Sequence, residues 1–371
     1  MRRTRTFLPV VAYCAGASCI PLADSAIPTR YAGVVCTVPG HDLRHLALEA
    51  AAPEIAAAFG LILFGIRRMP SLTRAVFALE TGEGRFVLRV HPDDARVDEL
   101  ESLLTWLDAL AAAGFPVPRP RRTLRGGWLA ALALDGLPGT QRCSLLTWLD
   151  GTALTPEEMT PDHARAMGDL LARLHDYAAR WPAPAGFVRP CLDAEGLFGE
   201  CSPYASAGSE AFFSTELREA MQCVELHTRA LLCRTRGLPD AWGLIHGDLI
   251  AKNCLFGDDG ARALDFDNCG HGCFLYDLAP ATLQFSALPL AEALTQALWT
   301  GYTARRSLAP AGPADLETLV AARLVASCRW LVANRQAPAL RGRMEDLLEQ
   351  RTLTLRDYLA TGRVRRRSEM L

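Results

Sequence analysis

Apolar residues recur along the chain with two different periods, and the change from one to the other divides it. From His41 to Phe59 they fall at helical spacing. Ala75 to Glu80 and Arg85 to Val90 are instead short apolar-rich runs joined by Thr81-Gly82-Glu83-Gly84, a turn-forming stretch, and together they predict a hairpin. Leu100, Leu103, Leu104, Leu107 and Leu110 predict a helix that Asp93 and Asp94 can cap and that ends before Gly114 and Pro116. Two more strands are expected around Trp128 to Leu132 and Cys143 to Trp148. Strand, strand, helix, strand, strand is the order of an antiparallel sheet with one helix against it.

From Asp150-Gly151 onward the pattern turns helical. Thr160 suits an N-cap, Pro161 the first helical position, and Met167, Leu170, Leu171 and Leu174 a buried stripe. One β interruption is expected, at Gly243 to Ile245, Cys254 to Phe256 and Ala261 to Phe266. Helical spacing then returns over Leu288 to Thr303, Leu316 to Ala333 and Met344 to Leu359. The reading is α+β with four parts: a poorly ordered leader over 1–40, a lobe over 41–149, a mainly helical lobe over 150–360 and a basic tail over 361–371.

Candidate chemistry is concentrated in the β interruption. His246-Gly247-Asp248-Leu249-Ile250-Ala251-Lys252-Asn253 links the first two of those strands, and Asp265-Phe266-Asp267 follows the third. Phosphoryl transfer from ATP requires a carboxylate near the attacking hydroxyl and oxygen ligands for Mg²⁺ on the phosphates. Asp248 is placed to accept or orient the hydroxyl proton. Asn253, five residues on, can turn its amide toward the metal, and Asp265 stands after the apolar Ala263-Leu264, with Asp267 as a second ligand or a loop-shaping residue. His246 reads as a buttress of the loop rather than a proton carrier, and Asp277 as a brace at a helix start.

This segment resembles the one shared by protein kinases and the aminoglycoside phosphotransferase and choline kinase relatives, H-x-D-x-x-x-x-N followed by an acidic metal-binding motif. His246, Asp248, Asn253 and Asp265 fall on that pattern, and Tyr276-Asp277-Leu278-Ala279 looks like the stretch that follows it. The resemblance implies a two-lobed protein-kinase-like fold, a small antiparallel sheet lobe holding ATP and a larger helical lobe carrying catalysis. It further implies Asp248 as catalytic base and Asn253 and Asp265 as magnesium ligands. Acceptors among such relatives are small-molecule alcohols (aminoglycosides, homoserine, choline, sugars) or, in a stress-response branch, protein serine or threonine.

The resemblance extends more weakly over about Leu61 to Asp150. Strand alternation in Phe86-Val87-Leu88-Arg89-Val90 puts Val87 and Arg89 on one face, so Val87 could line an adenine slot while Arg89 reaches the phosphates. In the kinase pattern the latter position is usually lysine; arginine's planar fork needs more room and different partners. Glu99, Glu101 or, by spacing from Trp106, Leu103 stands where its acidic partner is expected. Ser71-Leu72-Thr73 is the candidate for closing over the phosphates, and the backbone from Leu145 to Asp150, Trp148 and Leu149 included, for meeting adenine. The departure at Arg89 keeps a nucleotide-binding pseudokinase open as an alternative.

Composition bounds the rest. The 371 residues, half of them apolar and 22% charged, suit two lobes with a core each. A net charge of -2 gives no global attraction to nucleic acid or anionic membrane. Twelve cysteines are scattered without CxxC pairs and read as reduced thiols. Cys269-Gly270-His271-Gly272-Cys273 crowds three potential zinc ligands together, but no partner lies elsewhere at finger-like spacing. Arg2, Arg3 and Arg5 before the apolar Phe7 to Ala23 imitate a secretory signal. Use of ATP favours a cytoplasmic protein with a leader instead. Leu46 to Ile66 is interrupted by Glu49, Pro53 and Glu54 and does not read as a membrane span. The four arginines at 363 and 365–367 read as a solvated end. Nothing in the pattern bears on oligomeric state.

Overall fold

The computed structural model describes residues 39–71, 74–200, 202, 204, 208–308, 310–337, 340 and 342–365. Residues 1–38 of the leader, Leu72 and Thr73 of the suggested phosphate-covering turn, and Arg366 and Arg367 of the tail lie outside the described residues, while residues 39 and 40, expected to be poorly ordered, already belong to the first helix. Contacts divide the chain into two units at Asp150 and Gly151.

The amino-terminal unit begins with α1 (Pro39–Ala58), which buries Leu48, Ala52, Ile55 and Ala56. Gly60, at φ 73°, ends it, and the N–H groups of Gly60 and Leu61 turn back to the carbonyls of Ala57 and Ala56. The apolar residues that follow continue as a strand, β1 (Leu63–Arg68), to which the spacing assigned no element. The hairpin of β2 (Ala75–Thr81) and β3 (Gly84–His91) pairs Ala75 with Val90 and Thr81 with Gly84. The helix α2 (Val97–Ala112) starts later than Asp93 and Asp94 suggest: Pro92 opens a turn closed by the Ala95 N–H, and Arg96, not an aspartate, takes the N-cap position without a side-chain cap.

Two short strands, β4 (Pro120–Arg121) and β5 (Ala130–Ala133), then flank the longer β6 (Thr140–Thr147). The antiparallel order is β1-β2-β3-β6-β4, with β5 also on β6. Phe77 and Leu79, Phe86, Leu88 and Val90, and Cys143 and Leu145 form one sheet face that packs on Leu48, Ile55 and Phe59. Each such side chain contributes about 1.5–3 kcal/mol by leaving water. Val87 and Arg89, of opposite parity on β3, are buried away from that face.

In the carboxyl-terminal unit, β7 (Thr152–Ala153) precedes α3 (Pro161–Ala178), where the Thr160 hydroxyl accepts the His163 N–H as cap. The stripe of Met167, Leu170, Leu171 and Leu174 is buried as its spacing requires. After β8 (Cys191–Leu192) and α4 (Ala194–Phe198) comes α5 (Thr215–Arg236), capped by Ser214, an amphipathic helix not anticipated above although Leu217, Met221, Val224 and Leu231 carry the spacing.

The chain then forms β9 (Trp242–Ile245), β10 (Cys254–Gly257), β11 (Gly260–Ala263) and β12 (Gly270–Cys273). Two small sheets result, β11-β10-β7 and β8-β12-β9. The third expected strand therefore stops at Ala263, short of Phe266. Of the Cys-His cluster, Cys269 and Cys273 are buried and His271 exposed, and among the described residues no three His, Cys, Asp or Glu side chains gather as a metal site.

The remaining helices are α6 (Ala279–Phe285), α7 (Ala291–Thr303), α8 (Pro313–Ala333) and α9 (Met344–Thr361). A Cβ on Gly168 of α3 would stand 2.1 Å from the Leu298 carbonyl, and one on Gly301 of α7 2.1 Å from that of Arg165, so glycine permits this crossing. Helix α8 is buried over almost its whole circumference. Among the described residues no helix is long and apolar enough to cross a membrane.

Candidate active site

The loop between β9 and β10 carries the motif and is held from several sides. Gly247 takes φ 79°, and a Cβ there would come within 2.5 Å of the Asn268 carbonyl, so the backbone can pass only as glycine. The N–H groups of His246 and Gly247 donate to the two oxygens of Asp277, at 2.7 and 2.6 Å. Asp277 also accepts the Nε2–H of His175 at 2.9 Å, and His175 Nδ1 accepts the Tyr302 hydroxyl at the same distance. Asp277 thus sits in a turn before α6, and its bonds go to the loop and to His175 of α3.

This network is wholly buried, which sets its charges. Desolvation holds His175 below the ordinary histidine range, so the ring stays neutral with its protons where the bonds require. Burial pushes Asp277 upward, but the bonds from His175 and the loop backbone outweigh it and leave the carboxyl below its usual range.

His246 is itself fixed by two bonds: Nε2–H donates to the Leu264 carbonyl at 2.8 Å, and Nδ1 accepts the Asp248 N–H at 3.3 Å. Both nitrogens are engaged within the loop, an arrangement for orientation. Leu264 also donates its N–H to the Asn253 carbonyl at 2.9 Å, and the Phe266 ring packs on His246 with centroids 4.5 Å apart. Asp265 lies between those two anchored neighbours, in the left-handed region at φ 56°, ψ 66°. A non-glycine residue held there is strained by about 1–3 kcal/mol, a feature that clusters at functional sites.

Asp248 and Asn253 meet directly. The Asn253 amide donates Nδ2–H to the Asp248 carbonyl oxygen at 2.9 Å and approaches its Oδ2 at 3.4 Å. Its own Oδ1 is buried with no hydrogen-bond partner. A buried amide oxygen left in this state costs about 1–3 kcal/mol unless a donor or a cation meets it, and a hard divalent cation, which binds oxygens, meets that need. The donor set of Asn253 Oδ1 and the carboxylates of the buried Asp265 and half-buried Asp267 is of the oxygen kind that suits such a cation.

Sequence reasoning missed two arginines. Arg323 of α8 donates Nη2–H to Asp248 Oδ1 at 2.5 Å; a lone charge among Val320, Ala321, Ala322, Leu324 and Val325 was the available signal, since a buried charge requires a partner. Arg189, in a segment that carried no assigned role, donates to the carbonyls of Asp267 at 2.7 Å and Cys269 at 2.8 Å and clamps the turn that follows Asp265.

In the amino-terminal unit the candidate residues lie on β3 and just past the end of β6. Val87 and Arg89 lie on β3 opposite Leu146 and Ser144 of β6. Trp148, one residue past β6, donates its N–H to the Arg85 carbonyl at 3.1 Å, and the Arg85 guanidinium lies 4.7 Å from its ring; Leu149 is half-buried. Glu99 is 3.2 Å from Arg96, Glu101 is exposed, and Leu103 is buried.

An antiparallel sheet unit, then a helical unit with an Asp-x-x-x-x-Asn loop and an acidic turn after the next hairpin, is the protein-kinase-like fold. The pattern of the phosphotransferase enzyme family matches residues 65–311, and the chain belongs to that family. It is 30% identical over 211 residues to a homoserine kinase of Methylobacillus flagellatus, covering 57% of this chain and 60%, less than two thirds, of that relative. Similar solved structures include a microcompartment-associated aminopropanol kinase, with TM-score 0.70, 24% identity and coverage of 81% of this chain and 94% of that one. Another is an amicoumacin kinase in complex with AMP-PNP and Ca²⁺, with TM-score 0.68, 17% identity and coverage of 85% and 96%.

Proposed function

We propose that the protein transfers the γ-phosphoryl group of ATP, with Mg²⁺, to the hydroxyl of a small-molecule alcohol, and that the acceptor is an amino alcohol of the homoserine or aminopropanol kind. The names of the homoserine kinase relative and the aminopropanol kinase neighbour support that class. The observation that carries the transfer reading is the contact of Asp248 with Asn253, whose buried amide oxygen has no hydrogen-bond partner.

In this reading Asp248 orients the acceptor hydroxyl and takes its proton as the oxygen–phosphorus bond forms and the bond to the departing ADP breaks. Mg²⁺, when bound, neutralises charge developing on the phosphate oxygens. Asn253 and Asp265 are its ligands, with Asp267 adjoining. His246, Asp277 and Arg189 keep these groups in place. In the unit over 41–149, Arg89 reaches phosphate, Val87 lines the adenine site, and the backbone at Trp148 and Leu149 meets the adenine edge. The unit over 150–360 carries transfer, and dependence on ATP puts the work in the cytoplasm.

A second reading, a nucleotide-binding module without turnover, is favoured by arginine at position 89, where the kinase pattern has lysine. Acceptor-dependent ADP formation with Mg-ATP and a panel of L-homoserine, 1-amino-2-propanol, choline and an aminoglycoside separates the two. Turnover with one of the amino alcohols is expected. ATP binding without transfer to any member of the panel would abandon the first reading for the second.

A further inference from the structure

Arg323 sits in mid-α8, 8% exposed at its side chain, against an Asp248 side chain exposed by only 1%. Its two terminal nitrogens are used differently: Nη2–H goes to Asp248 Oδ1 at 2.5 Å and Nη1–H to the Tyr204 hydroxyl at 3.0 Å. Tyr204 and Tyr276, both buried, stand beside it. Desolvation pushes the guanidinium down, and the adjacent Asp248 carboxylate more than reverses this, so the charge is kept. A planar fork fixes the plane of whatever carboxylate it binds, which a flexible ammonium would not.

The consequence falls on Asp248. One of its oxygens is engaged by Arg323 from α8 and the other lies 3.4 Å from Asn253 of its own loop. Side chains seventy positions apart in the chain therefore set a single carboxylate orientation. A buried ion pair adds little net stability compared with apolar residues of the same volume, because desolving two charges offsets their attraction. Stability alone thus gives little reason for an arginine on this helix, whereas aiming a carboxylate at a reacting hydroxyl does.

Resting on the transfer reading above, we propose that Arg323 is the positioning residue of the reaction: it holds Asp248 by Oδ1, leaves Oδ2 on the side of Asn253 as the oxygen that addresses the acceptor hydroxyl, and is itself oriented by Tyr204. Arg323 does not touch the reacting atoms; it acts through Asp248.

The test is a double-variant cycle read by steady-state kinetics with Mg-ATP and the best acceptor of the panel. Arg323→Gln should lower kcat on the order of 10²-fold while KM for ATP changes little. Arg323→Lys, which keeps the charge but loses the fork, should recover part of it. In an Asp248→Asn background, Arg323→Gln should cost nothing further, because its effect passes through the group already changed. Should Arg323→Gln fail to fold with Asp248 left as an unmatched buried charge, Arg323→Lys and the double variant Asp248→Asn/Arg323→Gln still decide the matter. The double variant should fold and turn over as slowly as Asp248→Asn alone. An Arg323→Gln enzyme with wild-type kcat, or losses that multiply in the double variant, would overturn the proposal while the transfer reading stands. A wild type inert toward every acceptor would overturn both.

Discussion

The loop of His246 to Asn253 and strand β3 with Val87 and Arg89 both present polar chemistry from buried backbone, but they are fixed by different means. The loop has irregular backbone, and side chains do the work of a ladder: Asp277 takes two of its N–H groups, His246 takes a third and ties it to Leu264, and Asn253 returns to the Asp248 carbonyl. On β3 the hydrogen bonds are those of a regular antiparallel sheet, with β2 on one side and β6 on the other. Position there follows from register, and the side chains at 87 and 89 can change without loss of the frame. An arginine at a position usually held by lysine is thus tolerable on β3, whereas the loop has few positions that can vary without releasing several bonds at once.

Substitutions can sharpen or break that contrast. The largest effect is expected at Asp248. Asp248→Ala should reduce acceptor-dependent ADP formation by on the order of 10³-fold or more, and turnover equal to wild type would show that the base is misassigned. Next is Asp277→Ala, which strips a buried group of its role for two N–H donors and His175; a loss of about 3–5 kcal/mol is expected in urea unfolding. Arg89→Lys, by comparison, should leave the unfolding free energy of the sheet unit little changed. If the two variants cost the same, the distinction drawn here is wrong.

Gly247→Ala should come third, with about 1–3 kcal/mol from forcing a side chain into the left-handed region and a Cβ 2.5 Å from the Asn268 carbonyl. The smallest effect concerns pH. Because burial lowers the His175 pKa from an ordinary 6.5, the unfolded chain takes up a proton that the folded one resists. Stability from this group is present above that value and is lost as pH falls below it, and the lowered Asp277 adds the same sign further down, below 3.8. Melting temperature should therefore fall between about pH 7.5 and 5.5 and fall less in His175→Gln. A steeper fall in the variant would reverse the assignment.

Legibility in the sequence follows the same division. Period-two and period-3.6 spacing located the β2–β3 hairpin, α1, α2, α3 and the last three helices, because burial of one face imposes those periods. It missed β1, where Leu61 to Ile66 continues the apolar composition of α1 and only Gly60 marks the break. It missed α5, whose pattern is mixed with threonine and arginine. Asp93 and Asp94 suited a cap by residue type, yet the Pro92 turn consumed them.

In the loop, residue spacing was enough to single out Asp248 and Asn253, since five residues of a closing turn bring them within hydrogen-bond reach. Arg323, His175 and Arg189 come from elsewhere in the chain, at separations no local pattern encodes. Arg323 and His175 were visible only as polar residues set in apolar stripes.

In the proposed transfer Asp248, Asn253 and Asp265 serve one metal, one nucleotide and one hydroxyl. The most direct test of this is the Mg²⁺-dependent thermal stabilisation produced by ATP, compared across wild type, Asp248→Ala and Asp265→Ala. Asp248→Ala should keep the Mg²⁺-dependent increment and Asp265→Ala should lose most of it. A full increment in Asp265→Ala would contradict the account, because the metal would then be held without the residue assigned to hold it.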